Sequence, residues 1–324
     1  MWNEVIPEDL RKIIDEDKRG LCTRPFGTLP LKREFEGEDF CIVGIPYDTS
    51  TTRRAGARFG PKAIRNKSFG GAHFFSQDAD YLCDNLTGMD YGDLPVKKGY
   101  TEVTFQVIYE HMKKVLDGGC TPIVLGGDHI ITYPELRAYS EKFGKPVAII
   151  HFDSHNDTTD APPERFYHHG TPFRRAWEDG FLDTEHSIQI GIRGYVDSHR
   201  LTFAREHGME VITARELHKI GIEECVKRIR KQVGAAPCIV TFDVDFLDPT
   251  YAPGTGTPVT GGFTSFEAYE IVRNALPGLD VKGFDIVEVT EDYDPGEITA
   301  LFAGHLVLQF LVALSKNKRA KEER

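Results

Sequence analysis

The chain lacks the usual marks of a disulfide scaffold, a membrane protein or a nucleic-acid binder. Its six cysteines, Cys22, Cys41, Cys83, Cys120, Cys225 and Cys238, contain no CxxC pair. Cys41 and Cys238 fall inside apolar, strand-like runs, where a reduced thiol packs as a small hydrophobe. A disulfide framework is therefore not expected, and a reducing cytoplasmic setting is. Basic residues are in deficit, 39 Lys and Arg against 50 Asp and Glu, whereas nucleic-acid binders usually carry a basic face. The first ten residues lack the basic start and apolar core of a signal peptide. The most apolar late stretch, 306–314, is far shorter than the roughly 20 residues needed to span a bilayer. Neither a nucleic acid nor a membrane is expected as a partner.

What the chain does have is β-then-α alternation. Apolar runs at 40–45, 122–125, 147–152, 187–190, 210–212, 238–242 and 282–289 read as strands. Segments 102–116, 134–143, 171–178, 198–207, 222–233, 265–274 and 297–315 read as helices, with Ser265 as the N-cap of one. Phe105, Ile108, Met112 and Val115 recur at helical spacing, giving one apolar stripe. The runs Val147-Ala-Ile-Ile and Cys238-Ile-Val are continuous rather than alternating, as in parallel strands covered on both faces. The rhythm predicts an α/β fold, a three-layer αβα sandwich with a mostly parallel central sheet. Residues 1–38 read as an N-terminal arm, residues 39–324 as one domain, and the charged end from Ser315 as a solvated helix terminus.

Three acidic runs each close a strand-like stretch: Gly126-Gly-Asp-His, His151-Phe-Asp-Ser-His-Asn-Asp and Phe242-Asp-Val-Asp. They supply His129, Asp153, His155, Asp157, Asp243 and Asp245. An apolar interior tolerates so many ionisable groups only when cations neutralise them. Open parallel sheets bind ligands beyond the carboxyl ends of their strands, so one crevice is expected. In extended chain, residues two apart point the same way, which would aim Asp153, His155 and Asp157 together, and Asp243 with Asp245. Four carboxylates balance two divalent ions, and oxygen-rich ligation suits Mn²⁺ or a similar ion better than structural zinc. Such ions lower the pKa of bound water to about 7.

At these residues the chain resembles the ureohydrolase (arginase/agmatinase) family, over about residues 38–314. Gly44-Ile-Pro-Tyr-Asp with Gly56-Ala-Arg-Phe-Gly-Pro-Lys-Ala-Ile-Arg is similar to the family's first signature. The three acidic runs, Ala252-Pro-Gly-Thr-Gly-Thr-Pro and Asp285-Ile-Val-Glu-Val follow in family order, and His169-Gly-Thr-Pro-Phe-Arg-Arg-Ala fits the agmatinase-like branch. The resemblance implies two metal ions bridged by Asp153 and Asp243, with His129 and Asp157 completing one sphere and His155 and Asp245 the other. Mn²⁺ is the family's usual ion, and Ni²⁺ that of guanidine-specific relatives. It further implies an amidinohydrolase releasing urea from a small cationic guanidino compound. Asp157 would orient the nucleophile, His169 would shuttle a proton and Glu288 would hold the guanidinium. Asn156 and Asp160 are candidates for further substrate contact, and His168 for a loop position. A homo-oligomer, trimer or hexamer, is implied as well.

The substrate loops depart from the family pattern. Thr290-Glu-Asp-Tyr-Asp replaces a proline pair after Glu288, Ser154 and Asn156 replace the more usual Ala and Thr, and the 158–168 loop is atypical. Acid at Glu291 and Asp292 would suit a distal ammonium, as in agmatine. A closed pocket would suit free or methylated guanidine. Arg54 or Arg165 would suit a distal carboxylate, as in guanidinobutyrate or arginine. Agmatine and guanidine lead this ranking. A deacetylase on a related fold and a non-catalytic assembly subunit are the alternatives in kind.

Overall fold

A computed structural model describes residues 24–68, 85–194 and 198–323. Its strands are β1 Phe40–Gly44, β2 Gly88–Asp93, β3 Thr121–Leu125, β4 Ala148–Phe152, β5 Ile188–Ile192, β6 Glu210–Thr213, β7 Cys238–Asp243 and β8 Val281–Val287. They form one sheet in the order β2-β1-β3-β8-β7-β4-β5-β6, with every neighbouring pair parallel. The helices are α1 Gly60–Lys67, α2 Thr101–Asp117, α3 Thr132–Phe143, α4 Pro172–Glu178, α5 Ser198–Glu206, α6 Ala214–Val233, α7 Ser265–Ala275 and α8 Ile298–Glu322.

Side-chain alternation along each strand explains the three layers. Ile42, Ile123, Ile150, Val240 and Phe284 pack on one face with Ile64, Ile229, Ile271, Leu306 and Phe310. Val43, Val124, Ile149 and Ile239 pack on the other with Ile108, Met112, Leu136 and Phe173. Burial of both faces is why these strands read as unbroken apolar runs. Cys41, Cys120, Cys225 and Cys238 are free and buried, while Cys22 and Cys83 lie outside the described residues.

Several sequence expectations need correction. Strand β2 escapes an apolar-run reading because it is Gly-Met-Asp-Tyr-Gly-Asp. Its Asp90 is buried and takes Arg65 Nε at 2.8 Å and Nη2 at 2.9 Å, a bidentate pairing that ties α1 to the sheet edge. Helix α1 was legible only as a motif, with its proline at the first turn. The N-cap of α7 is Thr264, not Ser265; its hydroxyl and the Glu267 carboxylate form a reciprocal capping box. Helix α6 starts at Ala214, eight residues before the expected 222, and carries a non-helical break at Gly221 (φ 77). The last strand stops at Val287, because Glu288 turns away at φ 66.

Of the N-terminal arm, 1–23 lie outside the described residues. The rest packs on β2: Phe26 is buried, its N–H reaches Asp90 Oδ2 at 2.7 Å, and Leu31 bridges to Asp90. The segment Pro295–Glu322 is long and apolar enough to cross a membrane by length and composition, longer than the 306–314 run suggested; 67% of its most apolar window is buried inside the fold. It is a core helix by its packing, with Phe310 on Phe284 at 4.4 Å between ring centroids.

Candidate metal centre

Four adjacent strands, β3, β8, β7 and β4, bring their carboxyl ends to one place. From β4 the chain moves outward to β5, whereas from β7 it moves the opposite way to β8. Loops diverging from neighbouring strands open the crevice in which parallel sheets bind ligands. His129 arrives from the loop after β3 in a short 3₁₀ turn. Gly127 makes that approach possible, since a Cβ there would stand 1.7 Å from the Tyr47 carbonyl oxygen.

The ligands converge by turns rather than by the strand alternation expected from the sequence. Asp243 accepts the Asp245 N–H at 2.7 Å as the chain enters the 3₁₀ helix Val244–Phe246. Asp153 likewise accepts the His155 N–H at 2.5 Å. Asp157 adopts φ 51, a region costly for a residue with a Cβ and often found at functional sites. Short acidic side chains bond their own backbone two residues on, so each carboxylate is turned inward where an extended chain would have let alternate residues diverge.

All six residues expected to hold metal are brought together. His129 Nδ1 lies 3.1 Å from Asp153 Oδ2, 3.0 Å from Asp157 Oδ2 and 3.6 Å from Asp243 Oδ2. His155 Nδ1 lies 3.0 Å from Asp245 Oδ2 and 3.4 Å from Asp153 Oδ1. Asp153 therefore faces both imidazoles, one with each of its oxygens. Among the described residues, the ligand-like triads His129, His151, Asp153 and Asp153, His155, Asp245 also meet at this carboxylate.

Two observations show that the set fits cations. His129 Nε2 lies 2.9 Å from Thr241 Oγ1, whose hydroxyl donates to Asp285 Oδ1 at 2.8 Å. This order makes Nε2–H the donor and leaves Nδ1, buried and without a hydrogen-bond partner, facing three carboxylates. Secondly, burial and then the charges of Asp245 and Asp153 hold the Asp243 carboxyl well above the usual range. Burial opposes charge on His129, yet Asp153, Asp157 and Asp243 overcome it and raise that imidazole well above its ordinary value. Positive charge is what this pocket of oxygens demands.

Sequence reading missed the residues that hold the ligands. His151 Nε2 reaches Asp153 Oδ2 at 2.8 Å, while its Nδ1 accepts from Gln189 Nε2 at 3.1 Å. That pair fixes the tautomer and orients the shared carboxylate. His151 shares strand parity with Asp153, a signal available from the sequence; Gln189, on β5, gave none. Asn156, a substrate-contact candidate, lines the cavity, but its amide nitrogen is held by Gln189 Oε1 at 2.9 Å.

Glu288 and His169 form a second pair beside the cluster. His169 Nδ1 lies 2.9 Å from Glu288 Oε1, which also takes the His129 N–H at 3.1 Å. His169 Nε2 meets Thr52 Oγ1 at 2.8 Å. Burial opposes charge on His169, but Glu288, then Asp157 and Asp128, raise it to about 9. Glu288 is fully buried, beside the cavity-lining His169. Among the described residues its Oε2 has no hydrogen-bond partner, and a Cβ at Gly256 would stand 3.4 Å from it and 3.0 Å from the Arg54 carbonyl oxygen, so only glycine leaves that oxygen uncrowded.

A cavity of about 940 Å³ opens over the cluster, reaching His155, Asp157, Asp243 and His169 at its base. Its mouth includes Thr52, Arg53, Asp160, Arg165 and His168; His168 sits on a loop, as expected, and that loop forms part of the wall. Glu291 and Asp292, expected as counter-charges to an ammonium tail, do not line it; Glu291 faces Lys62 at 4.0 Å. Arg54 also turns away, stacking over Tyr293 at 4.7 Å.

The arginase family model matches residues 38–313. The chain belongs to the arginase family. It is 41% identical to an agmatinase of Chromobacterium violaceum over 288 residues, covering 89% of this chain and 87% of that one. It is 40% identical over 301 residues to a mitochondrial guanidino acid hydrolase of Homo sapiens, covering 90% and 84%. The solved structure of proclavaminate amidino hydrolase from Streptomyces clavuligerus superposes with a TM-score of 0.86 at 36% identity, covering 92% and 99%. This arginase-family hydrolase thus carries His/Asp clusters able to hold metal at the edge of its eight-stranded parallel sheet, in a family that is binuclear and metal-dependent.

Proposed function

We propose that this protein hydrolyses a small guanidino compound carrying a tail, releasing urea. The observation that carries the reading is the unpartnered Glu288 Oε2, fully buried beside His169 and the six-ligand cluster. A buried carboxylate oxygen without a donor is costly, and a guanidinium, always charged and rich in N–H donors, satisfies it. Two divalent ions held by His129, Asp153, Asp157 and Asp243 on one side, and Asp153, His155, Asp243 and Asp245 on the other, would supply an ionised water at neutral pH. Asp157 orients the attacking water, Glu288 aligns the planar cation, and His169 delivers a proton from Nε2 to the departing nitrogen.

Kinship to an agmatinase and a guanidino acid hydrolase supports the guanidino class. Cavity size argues for a tail, since free guanidine has four non-hydrogen atoms and would leave most of about 940 Å³ unfilled. The deciding assay is urea release by the purified chain from guanidine, agmatine, 4-guanidinobutyrate and arginine, with Mn²⁺ and Ni²⁺ in parallel. Glu288→Gln is expected to raise KM and lower kcat together for every turned-over substrate. Urea from none of them, with metal demonstrably bound, overturns the reading.

A further inference from the structure

We infer that Arg53 and Arg165 form an anion-binding subsite at the cavity mouth, and that the substrate tail ends in a carboxylate. The inference rests on the guanidino reading above and deepens it. Charge accounting along the wall carries the argument. The inner carboxylates, Asp157 and Asp243, face His129 and belong to the metal cluster. Asp160, the acid at the mouth, is opposed by Arg174 at 3.6 Å and Arg175 at 3.8 Å, so its charge is already matched.

The cations divide the same way. Arg193 lines the cavity, yet its guanidinium is spent on backbone carbonyls of Asp245, Phe246, Leu247 and Val259 at 2.6–3.2 Å. Arg53 and Arg165 also line it. Both are exposed, and among the described residues neither has an ion pair, a side-chain hydrogen bond or a ring partner. Among the described residues, the mouth thus presents two uncommitted guanidinium groups and no uncommitted carboxylate. An ammonium tail would meet like charge there, while a carboxylate would meet two fork-shaped donors suited to bidentate recognition. The two arginines come from loops about a hundred residues apart, at Thr52-Arg53 and Pro163–Arg165, so only the fold places them on one wall.

The test compares three compounds of matched length on the metal-loaded protein: 4-guanidinobutyrate, butylguanidine and agmatine, whose tails are anionic, neutral and cationic. The parent is expected to favour 4-guanidinobutyrate over butylguanidine by at least tenfold in kcat/KM, mainly through KM, and to place agmatine last. In R53Q/R165Q that ratio should fall at least tenfold, with partial recovery in R53K/R165K. Calorimetric titration of 4-guanidinobutyrate against parent and R53Q/R165Q reads the subsite independently of turnover, with at least tenfold weaker binding expected in the variant. Urea release that ranks agmatine first, or a ratio indifferent to both arginines, overturns the subsite while leaving the guanidino reaction intact. Tight, arginine-dependent binding without urea release overturns the reaction and keeps the subsite.

Discussion

At the scale of single residues, the site separates groups by what each must do with a proton. His169 is held charged by Glu288 across 2.9 Å, whereas His129 and His151 are oriented by hydroxyl and amide partners. With its pKa raised to about 9, His169 keeps its transferable proton until the pH passes that value. H169N should therefore lower kcat/KM by about 100-fold or more, and a basic limb near pH 9 in the parent should vanish from the residual activity. The same shift has a sign for stability. A raised imidazole pKa contributes fully below the unfolded value of roughly 6.5 and is lost as pH rises through about 9. The Tm gap between parent and H169N should be widest below pH 6.5 and shrink above 9; a gap that widens with pH contradicts the pairing.

At the scale of elements, strand ends and caps carry different weights. Gly127 abuts the Tyr47 backbone, and backbone cannot rotate out of the way, so G127A should displace His129 and reduce bound metal, measured by elemental analysis of purified protein. T264A removes only the cap of α7 and should cost about 1 kcal/mol, read as a shifted denaturation midpoint with full metal content. Equal metal content in both variants would contradict the assigned role of the Gly126-Gly127 turn. Elements were legible from the sequence where burial on both faces produced continuous apolar runs, as at 147–152 and 238–242. Strand β2 was not, because Asp90 and Asp93 satisfy Arg65 across the fold, a long-range partnership that no local pattern reveals.

At the scale of the molecule, the sheet's carboxyl edge gathers Asp153, Asp157, Asp243, Asp245, Glu288 and Asp128 into a largely buried volume. Asp128 is pushed up to about 7, first by burial and then by Glu288. Removing ions from such a place should loosen the whole domain, because ligands that bind only the native state stabilise it by about 2.7 kcal/mol at a hundred times Kd. Chelator treatment is expected to lower Tm, Mn²⁺ or Ni²⁺ to restore it, and D153N, which removes the shared carboxylate's charge, to blunt the response. A Tm indifferent to chelation, with metal removal verified, contradicts the proposed ion binding.

Residue chemistry at strand ends was enough to single out the six candidate ligands that the fold brings together, since imidazoles and carboxylates at that density have few other physical excuses. The αβα architecture was equally readable, because apolar periodicity reports burial locally. Tertiary structure alone decided which charges line the cavity. It withdrew Glu291, Asp292 and Arg54 from the cavity, matched Asp160 with two arginines, and set Arg53 beside the opening. Loop side chains are placed by partners far away in sequence, and a charge acts only where the fold leaves it uncompensated.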